Sequence, residues 1–226
     1  FGLLWLALRR EVGVPAAGAA APAFTSSMGT LFRLPGFGLL TAAFATFAIA
    51  NWIVYTWLPL FLYERFGMSL TKAGFSASVY IQAASYVGVV AGGALSDRWV
   101  RRNPRARMLT LGGGLALGAP FLALIGLTST EAVLIPGLVA FGLARGISDS
   151  NTAPALSQLA PSRLRATGYG IFNMVGCIIA GVAAAIAGWM KTAIGLEAAF
   201  VGAGAVLLLG GWFLWRIPRT AITNPE

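Results

Sequence analysis

Arg145 and Asp149 are opposite charges four residues apart inside a long apolar stretch, in the text Gly142-Leu-Ala-Arg-Gly-Ile-Ser-Asp-Ser-Asn-Thr-Ala-Pro154. That spacing puts both side chains on one face of a helix, within reach of each other. A charge at the centre of a bilayer costs about 2.5–3.5 kcal/mol on insertion scales. Two such charges persist only if they pair as a structural lock or line a wet cavity. Ser148, Asn151 and Thr152 add polarity nearby and favour the second reading, a face along a solute path. Pro154 frees a backbone carbonyl and predicts a bend. In an earlier apolar stretch, Asn51 and Tyr55 are one turn apart and can face the same cavity, whereas Trp57 and Tyr63 read as anchors at the membrane interface. Tyr80, Gln82, Ser85 and Tyr86 give a further stretch its polarity, and Asn173 and Cys177 share a face of another. A single Asn or Gln in such a helix serves equally well as interhelical glue or as a ligand contact.

Other chemistries are excluded or unsupported. The chain has no histidine and a single cysteine, Cys177, so a zinc site, a disulfide and a Cys/His nucleophile pair are impossible within it. Cys177 reads as a small packing residue. No metal, cofactor or catalytic set emerges. Gly112-Gly-Gly114 lies inside an apolar run rather than after a strand, so it is not a phosphate loop. The net charge of +9 does not point to nucleic acid in so apolar a chain; it reads as arginines held on one side of a membrane.

These polar residues need elements to carry them, and the composition says where those elements sit. The chain is 58% hydrophobic and 10% charged, with a mean hydropathy of +0.78. A soluble domain of this length cannot hide that much apolar surface, so lipid is the solvent for most of it. The expected architecture is all-α, an integral membrane protein with six spans near 36–62, 73–96, 108–128, 132–159, 167–190 and 196–216. Each is long enough for a hydrocarbon core of about 30 Å. Residues 1–10 read as the end of a preceding membrane helix, because Phe1–Leu8 is too short to cross and the charge follows the apolar run rather than leading it. The chain thus reads as a fragment. Residues 11–34, rich in Ala, Pro, Gly, Ser and Thr, read as a cytoplasmic linker, 35–217 as the six-helix unit and 218–226 as a cytoplasmic tail. With the linker inside, the inside segments carry the whole net charge of +9 and the outside segments sum to zero. Basic residues favour the cytoplasmic side, so this orientation is the expected one. Gly88 and Gly92, Gly114 and Gly118, and Gly142 and Gly146 are small residues four apart that let helices approach closely.

One connection carries a recognisable pattern. Gly93, Asp97, Arg98, Arg101 and Arg102 match Gly-x-x-x-Asp-Arg-x-Gly-Arg-Arg, with Val100 in place of the usual glycine. Pro161-Ser-Arg163-Leu-Arg165-Ala-Thr-Gly168 supplies a second match. Together with six spans whose ends are both inside, these resemble the C-terminal half of a transporter of the major facilitator superfamily. That resemblance implies a 12-helix fold whose two six-helix halves rock about a central site. It implies that the first and fourth spans here line the cavity, with Asn51, Tyr55, Arg145, Asp149 and Asn151 as the lining. Arg145 would then meet an anionic group, and Asp149 would couple an ion or hold Arg145. It also implies a cytoplasmic clasp built on Gly93, Asp97, Arg98, Arg101, Arg102 and Arg165. In that clasp Asp97 accepts from the N–H groups at the start of the span near Thr167, or pairs with Arg165. Trp57-Leu-Pro-Leu-Phe-Leu with Phe66-Gly-Met-Ser-Leu resembles branches that carry organic anions, sugar acids or lipid-like solutes.

The expected function is therefore secondary active transport of a small organic solute by alternating access, coupled to a proton or another ion. The expected partners are a bilayer of the bacterial inner or plasma membrane type, the solute, the coupling ion and the missing N-terminal half. A non-transporting receptor or scaffold on the same fold is the alternative, because fold alone does not fix activity.

Overall fold

The computed structural model describes residues 24–222. The expected helix end at 1–10, the first part of the linker and the last residues of the tail lie outside them. The elements are α1 (Phe24–Arg33), α2 (Phe37–Phe66), α3 (Leu70–Val100), α4 (Ala106–Leu127), α5 (Glu131–Leu159), α6 (Arg165–Ala193) and α7 (Leu196–Arg216), with short 3-10 turns at Ser162–Leu164 and Arg219–Ala221. Six helices, α2 to α7, are long and apolar enough to cross a membrane, and they fall on the six expected spans. At 1.5 Å per residue the 30 residues of α2 span about 45 Å and the 21 of α7 about 31 Å, so all clear the hydrocarbon core.

Several helices run a turn beyond the expected spans, and two of the shifted boundaries bear on the site. The end of the expected linker is helical, because Met28 and Leu31 are three apart and give α1 an apolar face; Leu31 is fully buried. The helix α3 runs on to Val100, so Asp97 and Arg98 lie on its last turn and only 101–105 connect it to α4. Sharp reversals elsewhere use glycine where the backbone is left-handed, Gly67 after α2 (φ 61°) and Gly195 before α7 (φ 92°). α5 continues unbroken through Pro136 and Pro154.

Contacts sort the two ends of the bundle. At one end Gln158 Nε2 donates to the Pro104 carbonyl (3.1 Å), and Arg105 donates to the carbonyls of Trp215 (2.7 Å) and Ile217 (2.9 Å), capping the end of α7. Among the described residues, Arg98, Arg101, Arg102, Arg107, Arg163, Arg165, Arg216 and Arg219 also lie at this end, on the end of α3, the start of α4, the turn before α6 and the end of α7. At the other end three ion pairs tie helices together: Glu64 to Lys191 (2.7 Å), Arg65 to Glu197 (2.8 Å) and Lys72 to Glu131 (2.9 Å).

Packing is by pairs. α3 lies against α5, α4 against α5 and α7, and α2 against α6 and α7. The α3–α5 seam is the closest. A Cβ on Gly146 would overlap the Ser85 carbonyl, one on Gly88 would overlap the Leu143 carbonyl, and one on Gly92 would come within 2.7 Å of Ile147 Cα. In lipid there is no hydrophobic force between helices, so this backbone contact is what holds the seam. α2 and α6 instead meet through stacked rings, Phe172 with Phe37 (5.7 Å) and with Phe44 (5.2 Å). Trp57 donates its indole N–H to the Ala184 carbonyl (3.0 Å). Trp57 thus ties α2 to α6, and Tyr63 is exposed.

The candidate solute site at the helix midpoints

The polar residues converge at one level. Arg145 is the central residue of α5, Ser85 that of α3, and Asn51 lies at the midpoint of α2. The glycine seam brings α3 and α5 close enough for side chains on both to share hydrogen bonds. Arg145 donates from Nε to Asn51 Oδ1 (2.5 Å), and from NH1 to Gln82 Oε1 (2.8 Å) and Ser85 Oγ (3.1 Å). Its guanidinium lies over the Tyr55 ring, 5.3 Å from the centroid. The Tyr55 hydroxyl in turn reaches Gln82 Oε1 at 3.4 Å. Asn51 is itself oriented by an N–H donated to the Phe47 carbonyl (2.9 Å).

Each hydrogen-bond acceptor around the guanidinium is neutral. Among the described residues Arg145 forms no ion pair, and its NH2 nitrogen makes no hydrogen bond. Behind it, between Phe47, Gly114, Phe141 and Leu207, the void is about 10 Å³, at the limit for one water. On the open side of the site Tyr55, Gln82 and Asp149 are exposed.

Arg145 and Asp149 share a face but do not pair. Asp149 is exposed one turn closer to the arginine-rich end and forms no ion pair among the described residues. Asn51 and Tyr55 do meet Arg145. Asn151 does not: it is fully buried, and donates to the carbonyls of Ile147 (3.0 Å) and Gly92 (3.4 Å). Six residues on from Arg145 is about 240° round the helix, whereas four is about 40°. Asn151 thus faces α3 as interhelical glue, and Ser148 similarly bonds the Leu111 carbonyl on α4 (3.1 Å). Gln82 and Ser85, singled out only as polar residues of their span, are contacts of the site. Their spacing of three was visible in the sequence, but not the helix they would face.

At the arginine-rich end, Asp97 pairs with Arg107 on α4 (3.2 Å) rather than with Arg165. Arg165 turns back on its own chain, donating to the Ser157 (3.1 Å) and Ala160 (3.2 Å) carbonyls. Arg98, Arg101 and Arg102 are exposed around a groove they share with Leu95 and Trp99. A Cβ on Gly93 would meet nothing within 4 Å.

The comparisons with known proteins agree with this architecture. The chain is 31% identical over 170 residues to a D-galactonate transporter of Escherichia coli O6:H1, across 73% of this chain and 39% of that protein. It is 29% identical to a probable galactarate/D-glucarate transporter of Escherichia coli K12, across 70% of this chain and 36% of that one. An efflux pump of Mycolicibacterium smegmatis is 26% identical across 92% of this chain and 48% of its own. The chain thus spans less than half the length of these relatives. Among solved structures, a bacterial homologue of the human lysosomal transporter Spinster superposes with a TM-score of 0.72 at 18% identity, over 99% of this chain and 58% of that one. The family model of the Major Facilitator Superfamily matches residues 1–185. With six spans in the expected order and that match over most of its length, this multi-pass membrane chain belongs to the major facilitator superfamily.

Proposed function

We propose that the chain is the C-terminal half of a secondary transporter for small organic anions, with sugar acids as the favoured class. The observation that carries this reading is Arg145, a guanidinium at the midpoint of α5 with neutral acceptors on Nε and NH1 and an NH2 that makes no hydrogen bond among the described residues. A charge so placed costs several kcal/mol unless something negative joins it, and an anionic solute would supply that charge. The names of the relatives support sugar acids, which carry a carboxylate and hydroxyls. A second six-helix half would provide the facing wall. The arginine-rich end and both ends of the six-helix unit would be cytoplasmic, in a bacterial inner membrane.

Asp149 is assigned the coupling proton: it is an acid on the Arg145 face, exposed toward the open side. Solute and proton would then bind within one helical turn of each other, which is the simplest way to link their movements.

Arg145→Gln in the complete transporter should abolish uptake of sugar acids while surface expression stays normal. Uptake at the wild-type rate would remove Arg145 from the site. Asp149→Asn should keep solute exchange down a gradient and lose accumulation driven by a proton gradient. Retained uphill accumulation would take the coupling role away from Asp149.

A further inference from the structure

The orientation of Gln82 is fixed by its neighbours, and this gives it a role. Its Oε1 accepts from Arg145 NH1 at 2.8 Å and from the Tyr55 hydroxyl at 3.4 Å. A guanidinium can only donate, so exchanging the amide oxygen and nitrogen would set N–H against N–H. The Nε2 group therefore points away from Arg145. Gln82 is exposed on the open side, and its Nε2 meets no acceptor among the described residues. On the guanidinium, Nε and NH1 are occupied and NH2 is not. Two unfilled donor groups thus flank the hydrogen bond between Arg145 NH1 and Gln82 Oε1, one charged and one neutral.

The two donors ask for different acceptors. A carboxylate takes the charged one, because that bond is charge-assisted. The neutral amide then lies beside the carboxylate, where the solute presents the substituent on its neighbouring carbon. A hydroxyl oxygen there accepts a hydrogen bond from the Nε2 N–H. A plain C–H leaves the amide unpaired once water has been displaced, and an unpaired donor is penalised.

We infer that Gln82 is a specificity residue: it donates from Nε2 to a hydroxyl oxygen next to the carboxylate held by Arg145, so the site selects hydroxy acids over plain carboxylates of equal charge and length. This rests on the reading of Arg145 as the solute's counter-charge.

The test compares a six-carbon aldonate with its 2-deoxy counterpart in the complete transporter, reconstituted in proteoliposomes. The wild type should prefer the hydroxy acid. Gln82→Met keeps the length of the side chain and removes both the N–H and the oxygen that accepts from Arg145; loss of the oxygen bears on both acids alike, so the N–H is read from the ratio of kcat/KM between them, which should fall by about tenfold. The fall should appear in KM for the aldonate. Gln82→Asn, whose donor is retracted, should give an intermediate ratio. An unchanged ratio in Gln82→Met, or equal loss of both acids, would overturn the assignment. If Arg145→Gln is inactive while Gln82→Met keeps the wild-type preference, the anion site stands and the role of Gln82 falls. If Arg145→Gln carries both acids normally, or the wild type carries neither, the anion reading itself fails and takes this one with it.

Discussion

At the residue scale the informative contrast is between Arg145 and the other polar groups inside the bundle. Ser148, Asn151 and Thr152 are buried and spend their donors on nearby carbonyls, which is structural work. Arg145 spends only part of its donor set. Its fork matters as well as its charge, because Nε and NH1 must reach Asn51, Gln82 and Ser85 together. Arg145→Lys should therefore keep the positive charge and still lose at least about tenfold in kcat/KM, as measured by initial uptake rates. Near-normal rates would mean that a point charge suffices. Asn151→Leu should instead lower the yield of folded protein, seen as a drop in the monodisperse peak after detergent extraction, because it removes the ties to Gly92 and Ile147. The sequence showed which residues were polar, and helical spacing alone already separates Asn151 from Arg145 and Asp149. It did not show what each face looks onto, because the partners of Arg145 come from α2 and α3 and depend on how helices are rotated against one another.

At the scale of elements, two glycines of the chain make opposite expectations. Gly146 faces the Ser85 carbonyl across the α3–α5 seam, with no room for a Cβ, whereas Gly93 in the signature pattern faces open space. Gly146→Val should destabilise by at least about 1–3 kcal/mol through overpacking and lower the thermal midpoint in detergent. Gly93→Ala should leave that midpoint unchanged within error, so any transport defect it causes would reflect contacts made outside the described residues. The six spans were legible because bilayer thickness and helix rise set their length, and no packing knowledge is needed for that. The glycine seam was legible as small residues four apart, though not as a pairing of Gly88 and Gly92 with Gly142 and Gly146. The partner of Asp97 was the harder case. Arg107 and Arg165 are both basic, and only the course of α4 beside the last turn of α3 selects Arg107.

For the whole molecule, the two ends are built differently. The arginine-rich end combines hydrogen bonds to backbone, such as Arg105 on the end of α7, with the Asp97–Arg107 pair, while the opposite end is tied by three ion pairs between partly exposed side chains. Exposed pairs contribute little individually, about 0.2–1 kcal/mol. Lys191→Met should thus shift the thermal midpoint by only a degree or two, and that small effect should vanish in high salt. Loss of several degrees would mean that the tie between Lys191 and Glu64 is better shielded than its exposure suggests. Asp97→Asn breaks the pair with Arg107 at the other end, and should slow turnover without weakening solute binding, as read by exchange rate against equilibrium affinity.

The seam between α3 and α5 has one more consequence. Backbones in contact leave Gln82, Ser85 and Arg145 on what is mechanically a single plate, while Asn51 rides on α2, which touches α5 only sparsely. On the proposed reading, occupancy would be broadcast along one helix and not the other: an anion that pulled the guanidinium toward itself would send the message out through α2. Spin labels should register it as a changed α2–α5 distance on adding solute, beside an α3–α5 distance that stays silent.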